Sequence, residues 1–165
     1  RRARPVGWIA AKRGRGVCRV RMNELYQSVI IEHDRSPRNF RTIDGATHHA
    51  DGRNPLCGDE VSVELVVTND GTIADVAFQG TGCAVSRASA SMMTVALRDH
   101  STDHARELFA RFHALLVDGG TTDELGKLAA FEGLAAFPMR IKCATMVWHV
   151  MKAALDEKQE ASATK

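Results

Sequence analysis

The sequence predicts an α+β fold in which a small antiparallel sheet packs against several helices. Three observations carry this. Residues 60–68 place Val61, Val63, Leu65 and Val67 on one side and Glu60, Ser62, Glu64 and Thr68 on the other, the period of a half-buried strand. Asn69-Asp70-Gly71 follows as a hairpin turn, and residues 72–79 return with Val76 and Phe78 on one face. Beyond residue 83 the period lengthens: Ile141, Thr145, Trp148, Met151 and Leu155 recur at steps of three and four, an apolar helical stripe. Strands grouped ahead of helices, not alternating with them, belong to the α+β class.

The elements follow in order. Residues 1–21 carry eight Arg and Lys side chains and no acid. They read as a basic N-terminal extension, a translated upstream stretch or misplaced start ahead of Met22, with an organelle-targeting peptide as the alternative. Residues 23–34 read as a helix capped by Asn23, with Leu25 and Val29 on one face; Pro37 stops it. Residues 35–58 form a long polar loop. After the hairpin, 84–98 is a helix whose Ser86, Ser89, Ala90 and Thr94 permit close packing. Residues 103–117 make another, capped by Thr102 or Asp103, with Leu108, Phe112 and Leu115 inward and Gly119-Gly120 as its end. A short helical piece is expected over 123–130. The last helix begins after Pro138, and the polar tail 159–165 lies beyond the folded domain, placed at 22–158.

Composition narrows the function classes. The chain has 165 residues, 44% hydrophobic and 25% charged, an ordinary globular balance with room for one core. No apolar run nears the ~20 residues a bilayer crossing needs. Of the 22 basic side chains, eight lie in 1–21, so the remainder holds 14 against 20 acidic, a net of −6. An acidic body speaks against nucleic-acid binding. No phosphate loop, HExxH pair or nucleophile elbow is present.

Three cysteines stand in distinctive settings: Asn54-Pro55-Leu56-Cys57-Gly58-Asp59, Gly80-Thr81-Gly82-Cys83-Ala84 and Arg140-Ile141-Lys142-Cys143-Ala144. The turn formers beside Cys57 and Cys83 suit exposed thiols better than disulfides or core packing, which points to a reducing, cytoplasmic setting. Cys18, in the basic extension, is incidental. Three thiols and Asp59 make a four-ligand set suited to zinc or an iron–sulfur cluster. Intervals of 26 and 60 residues are unlike a zinc finger's, so the domain must gather the ligands from distant segments. Cys83 precedes a helix and Cys143 lies in the early turns of one, beside Arg140 and Lys142; both settings are expected to lower a thiol pKa. None of the seven histidines is taken as a ligand: His48-His49 reads as a loop pair, His149 faces away from Cys143, and His33, His100, His104 and His113 read as helix-surface or helix-end residues.

The segments NPLCGD (54–59), GTGCAVSRASASMMT (80–94) and FPMRIKCATMVWH (137–149), in this order, resemble the NifU/IscU iron–sulfur cluster assembly scaffold family over about Met22 to Leu155. The chain is similar to its SufU branch. The IscU branch has a His immediately before the third cysteine, where Lys142 stands here, and the SufU branch carries an insertion between the second and third cysteines. The resemblance implies a site of Cys57, Asp59, Cys83 and Cys143, holding zinc in the SufU manner or iron as a [2Fe–2S] cluster on the three cysteines in the IscU manner. It implies a PLP-dependent, SufS-like cysteine desulfurase as partner, with other SUF assembly proteins or apo iron–sulfur proteins downstream.

Three functions compete on this reading. In a zinc-dependent sulfurtransferase, Cys57 on its mobile loop accepts persulfide sulfur, with Arg140 orienting Asp59 or attracting a charged partner group. In a scaffold, the same residues build and release a cluster. In a structural zinc module, the site only holds the fold for a partner.

Overall fold

In the computed structural model, which describes residues 16–156, the order is α1 (Gly16–Arg35), β1 (His48–Asn54), β2 (Asp59–Val67), β3 (Ile73–Thr81), α2 (Ala84–Leu97), α3 (Thr102–Val117), a run of 3₁₀ turns (Gly126–Ala136) and α4 (Pro138–Asp156). This is the expected α+β architecture. The strands form one antiparallel sheet in the order β1-β2-β3. The alternation in β2 works as read: Val61, Val63 and Leu65 are buried. Gly71 turns the β2–β3 hairpin at φ +83°, a conformation costly for other residues.

Strand β1 lies within the stretch expected to be loop. Its sole buried apolar residue is Ala50, so it has no hydrophobic period to read. It exists because it pairs with β2, His48 opposite Leu65 through Asn54 opposite Asp59, and because α4 packs on it. Gly52 makes that packing possible: a Cβ there would lie 2.2 Å from Val150 Cγ2. His48 and His49 are therefore strand residues. His48 Nδ1 is 2.8 Å from Thr47 Oγ1, and His49 Nε2 meets Ser62 Oγ at 3.1 Å and Asp51 at 3.3 Å.

Other boundaries move for local reasons. α1 starts at Gly16, so Asn23 is an interior residue and no cap; neither Pro nor Gly lies between 17 and 34 to interrupt it. Cys18 falls on this helix. Residues 1–15 of the basic extension and the tail 159–165 lie outside the described residues. Ser101 caps α3, its hydroxyl accepting the His104 N–H at 3.1 Å, one residue ahead of the expected cap. The segment expected as helix at 123–130 is 3₁₀ from Gly126, after positive φ at Glu124 and Gly126. Leu125, Leu128, Phe131 and Leu134 are all buried, and their three-residue spacing is the 3₁₀ period.

Helix α4 crosses β1 and β2, and α2 packs on α4 and β3. Trp148, wholly buried, stacks on Phe109 and meets the tilted ring of Phe112, at ring distances of 5.9 and 5.1 Å. Its Nε1–H donates to Ser89 Oγ at 3.1 Å, and Ser89 donates to the Ala144 carbonyl at 2.6 Å. The small residues foreseen on α2 thus join it to α4 one residue from Cys143. His33 is no surface residue: it is 3% exposed, with Nδ1 2.7 Å from Ser91 Oγ, in the α1–α2 seam.

Candidate metal centre

Four segments meet at one end of the sheet. Between β1 and β2, Pro55-Leu56-Cys57-Gly58 forms a tight turn. The Gly58 N–H donates to the Asn54 carbonyl at 2.8 Å, Asn54 Oδ1 accepts the Leu56 N–H at 3.1 Å, and Gly58 has φ +73°. Pro55 stiffens the approach and Gly58 supplies the positive φ, which leaves Cys57 exposed at the tip. Asp59, the first residue of β2, is by contrast 3% exposed.

Cys83 sits where β3 gives way to α2 and acts as the helix N-cap: Sγ accepts the Ser86 N–H at 3.5 Å. A sulfur cap does the work usually given to a Ser or Asp oxygen. The Cys83 N–H donates to Asp59 Oδ1 at 3.2 Å. Cys143, on α4, is buried, and its thiol donates to Cys57 Sγ at 3.9 Å. All three cysteines are free thiols.

Cys57, Asp59 and Cys143 place one ligand atom each within 4.8 Å of one another. Cys83 is near enough to oppose the ionisation of Cys143, but it is not one of the residues that meet within that radius. The expectation that Cys143 has a lowered pKa is reversed. Burial pushes its thiol well above the usual range, and the neighbouring charge of Cys83 and hydrogen bonding to Cys57 push it further. Arg140 and Lys142 do not offset this. Arg140 lies 5.4 Å over the Phe137 ring and does not orient Asp59: Oδ1 takes the Cys83 amide, and Oδ2 is without a partner.

The residues present fit a bound cation. Asp59 Oδ2 is a buried oxygen with no hydrogen bond, an arrangement that costs about 1–3 kcal/mol unless something satisfies it. Beside it, the buried Cys143 thiol resists ionising without a positive charge nearby. The 3.9 Å between Cys57 and Cys143 sulfurs is close to the about 3.8 Å that two ~2.3 Å zinc–thiolate bonds subtend at a tetrahedral angle. The three sulfurs and one oxygen also make a ligand set for iron.

Large apolar side chains close in sequence to Cys57 and Cys143 are exposed. Leu56, Phe137 and Met139 are 65%, 52% and 52% exposed, more than isolated surface residues need. Lys142 and His149 both line a groove between the Asp51–Leu56 segment and α4, and His149 stands edge-on to Phe109. Two features were not read from the sequence. The orphaned oxygen of Asp59 follows from burial, which a strand-start aspartate does not announce. The apolar rim could have been found in the hydrophobic residues flanking Cys57 and Arg140.

Residues 25–160 match the family described as NifU-like N terminal domain. An iron–sulfur cluster assembly scaffold protein IscU of Streptococcus pyogenes is 36% identical over 143 residues, 86% of this chain and 89% of that protein. The zinc-dependent sulfurtransferase SufU of Bacillus subtilis is 34% identical over 133 residues, 79% of this chain and 89% of that protein. Among solved structures, an iron–sulfur cluster assembly scaffold protein for the SUF system from Fervidobacterium islandicum superposes with a TM-score of 0.74 at 29% identity, covering 81% of this chain and 98% of its own. A NifU-like protein from Brucella abortus shares the fold, with a TM-score of 0.77 at 20% identity over 86% of this chain and 99% of that one.

Proposed function

This chain belongs to the NifU-like N-terminal domain family, and from that premise we propose that it is an iron–sulfur cluster assembly protein of the SUF type. It holds zinc on Cys57, Asp59, Cys83 and Cys143 and accepts persulfide sulfur from a PLP-dependent cysteine desulfurase. The observation that carries the metal reading is the buried, unpartnered Oδ2 of Asp59 beside Cys57 and Cys143. Zinc bound there supplies the positive charge that keeps the thiols as thiolates.

The residues divide the work by their mounts. Asp59 and Cys143 are buried on rigid elements, whereas Cys57 is exposed at a turn tip and can leave without disturbing the sheet. Its thiolate attacks the outer sulfur of the desulfurase persulfide. One S–S bond forms at Cys57 as the desulfurase S–S bond breaks, and the desulfurase cysteine departs as thiolate, with no net change in electrons. Leu56, Phe137 and Met139 form an apolar rim for the donor protein, and Arg140 presents a cation beside it. The test is Cys57→Ala: a cooperatively folded variant that no longer stimulates the desulfurase is expected. A folded variant that stimulates fully overturns Cys57 as acceptor.

A second reading, a scaffold assembling a [2Fe–2S] cluster on the same cysteines, is favoured by the likeness to the S. pyogenes scaffold. Lys142 speaks against it, since an ammonium group offers iron no lone pair. Metal and acid-labile sulfide in anaerobically purified protein separate the two. About one zinc per chain without sulfide supports sulfur transfer; iron with matching sulfide replaces it with the scaffold.

A further inference from the structure

Gly82 links the end of β3 to Cys83. Its φ lies outside the left-handed region, so torsion alone would admit an L side chain there. Space would not. A Cβ at Gly82 would lie 3.0 Å from Asp59 Cγ, 3.2 Å from Asp59 Oδ1 and 3.1 Å from Ser86 Oγ. Gly80, two residues earlier, is a glycine for the other reason: its φ is +150° and its Cβ would strike the Glu60 carbonyl oxygen at 2.1 Å. At Gly82 the obstacles are the carboxyl group of a site residue and the Ser86 hydroxyl, and the carboxyl has little freedom to retreat. Asp59 is 3% exposed, and Oδ1 is tied to the Cys83 amide at 3.2 Å.

We infer that Gly82 is a positioning residue for Asp59. Its bare Cα is the wall against which the carboxyl rests, so that Oδ1 stays on the Cys83 N–H and Oδ2 remains the oxygen with no protein partner. The inference rests on the metal-binding reading above and gives it a division of labour: the oxygen ligand is fixed from two sides, while Cys57 is the ligand free to depart. Disturbing the contacts that orient a ligand typically costs about 10–100-fold in metal affinity.

The experiment is a double-mutant cycle. Zinc affinity by chelator competition, and the absorption spectrum of the cobalt-substituted protein, are measured for the unsubstituted chain, Gly82→Ala, Asp59→Ala and the double variant. Gly82→Ala is expected to weaken zinc binding about tenfold or more and to alter the cobalt spectrum, with cooperative unfolding retained. In the Asp59→Ala background, where no carboxyl stands in the way, the same substitution should change affinity by less than about twofold. Equal losses in both backgrounds, or none in either, overturn the inference. If Gly82→Ala does not fold, the double variant decides: folding restored by Asp59→Ala places the clash at the carboxyl, and folding not restored overturns it. Failure of the unsubstituted protein to bind zinc or cobalt overturns the metal reading and this inference with it, and is recognised from that one protein alone.

Discussion

Burial acts in opposite directions on His33 and Cys143, because it disfavours whichever form is charged. The thiol is pushed up and the imidazole down, the latter aided by the nearby Arg38. The Arg38 N–H donates to Ser91 Oγ at 2.8 Å, so the Ser91 proton is available to His33 Nδ1, which suits a neutral ring. The unfolded chain therefore takes up a proton near pH 6.5 that the folded chain refuses. Stability is full above that pH and is lost as pH falls through it; His149, lowered by burial and by His113, adds in the same direction. Urea midpoints between about pH 7.5 and 5.5 should fall, and His33→Gln should flatten part of the slope; an unchanged slope in the variant refutes the assignment. Much of the site was legible at this scale. Cys57 and Asp59 two residues apart on a bent segment could be read as facing one point, as the turn at Gly58 allows. The ionisation of Cys143 was not legible, because it depends on neighbours 60 and 86 residues away in the chain.

Between elements, the α2–α4 seam depends on Ser89, which accepts from Trp148 and donates to the Ala144 carbonyl. Ser89→Ala strands the buried indole N–H of Trp148, and should cost about 1–3 kcal/mol in a urea titration. Gly52→Ala, whose Cβ would collide with Val150, should likewise cost about 1–3 kcal/mol through overpacking, and Val150→Ala should restore most of it. Failure of that rescue would show that β1 is set by something other than its contact with α4. The same contact explains what the sequence concealed. β2, β3, α3 and α4 announce themselves through apolar period, whereas β1 is a strand by partnership: one buried alanine, one glycine fitted to a helix, and register imposed by β2. The 3₁₀ run did carry a signal, the three-residue spacing of Leu125, Leu128, Phe131 and Leu134, but it reads as helix when only 3.6 is sought.

For the whole molecule, the centre joins a turn, a strand, a helix start and the last helix, so a bound metal is part of the fold. Stripping zinc with a chelator should lower the melting temperature, and restoring it at about a thousandfold above its Kd should return about 4 kcal/mol. A melting curve indifferent to chelator would contradict the shared role. The apolar rim belongs to this scale too. Leu56→Asp should raise the concentration needed for half-maximal desulfurase stimulation about tenfold while leaving zinc content unchanged; loss of zinc in that variant would show that Leu56 serves the turn and not the partner. Among the described residues, no helix is long and apolar enough to cross a membrane.

The hydrogen-bonded chain from Trp148 through Ser89 to Ala144 also makes the protein its own optical instrument. The sequence has two tryptophans, Trp8 and Trp148, and with Trp8 replaced by Phe all indole emission reports from the seam one residue behind Cys143. A buried, donor-engaged indole emits to the blue and reddens as water reaches it. The colour of the fluorescence would thus follow in real time whether α4 stays seated as Cys57 comes and goes.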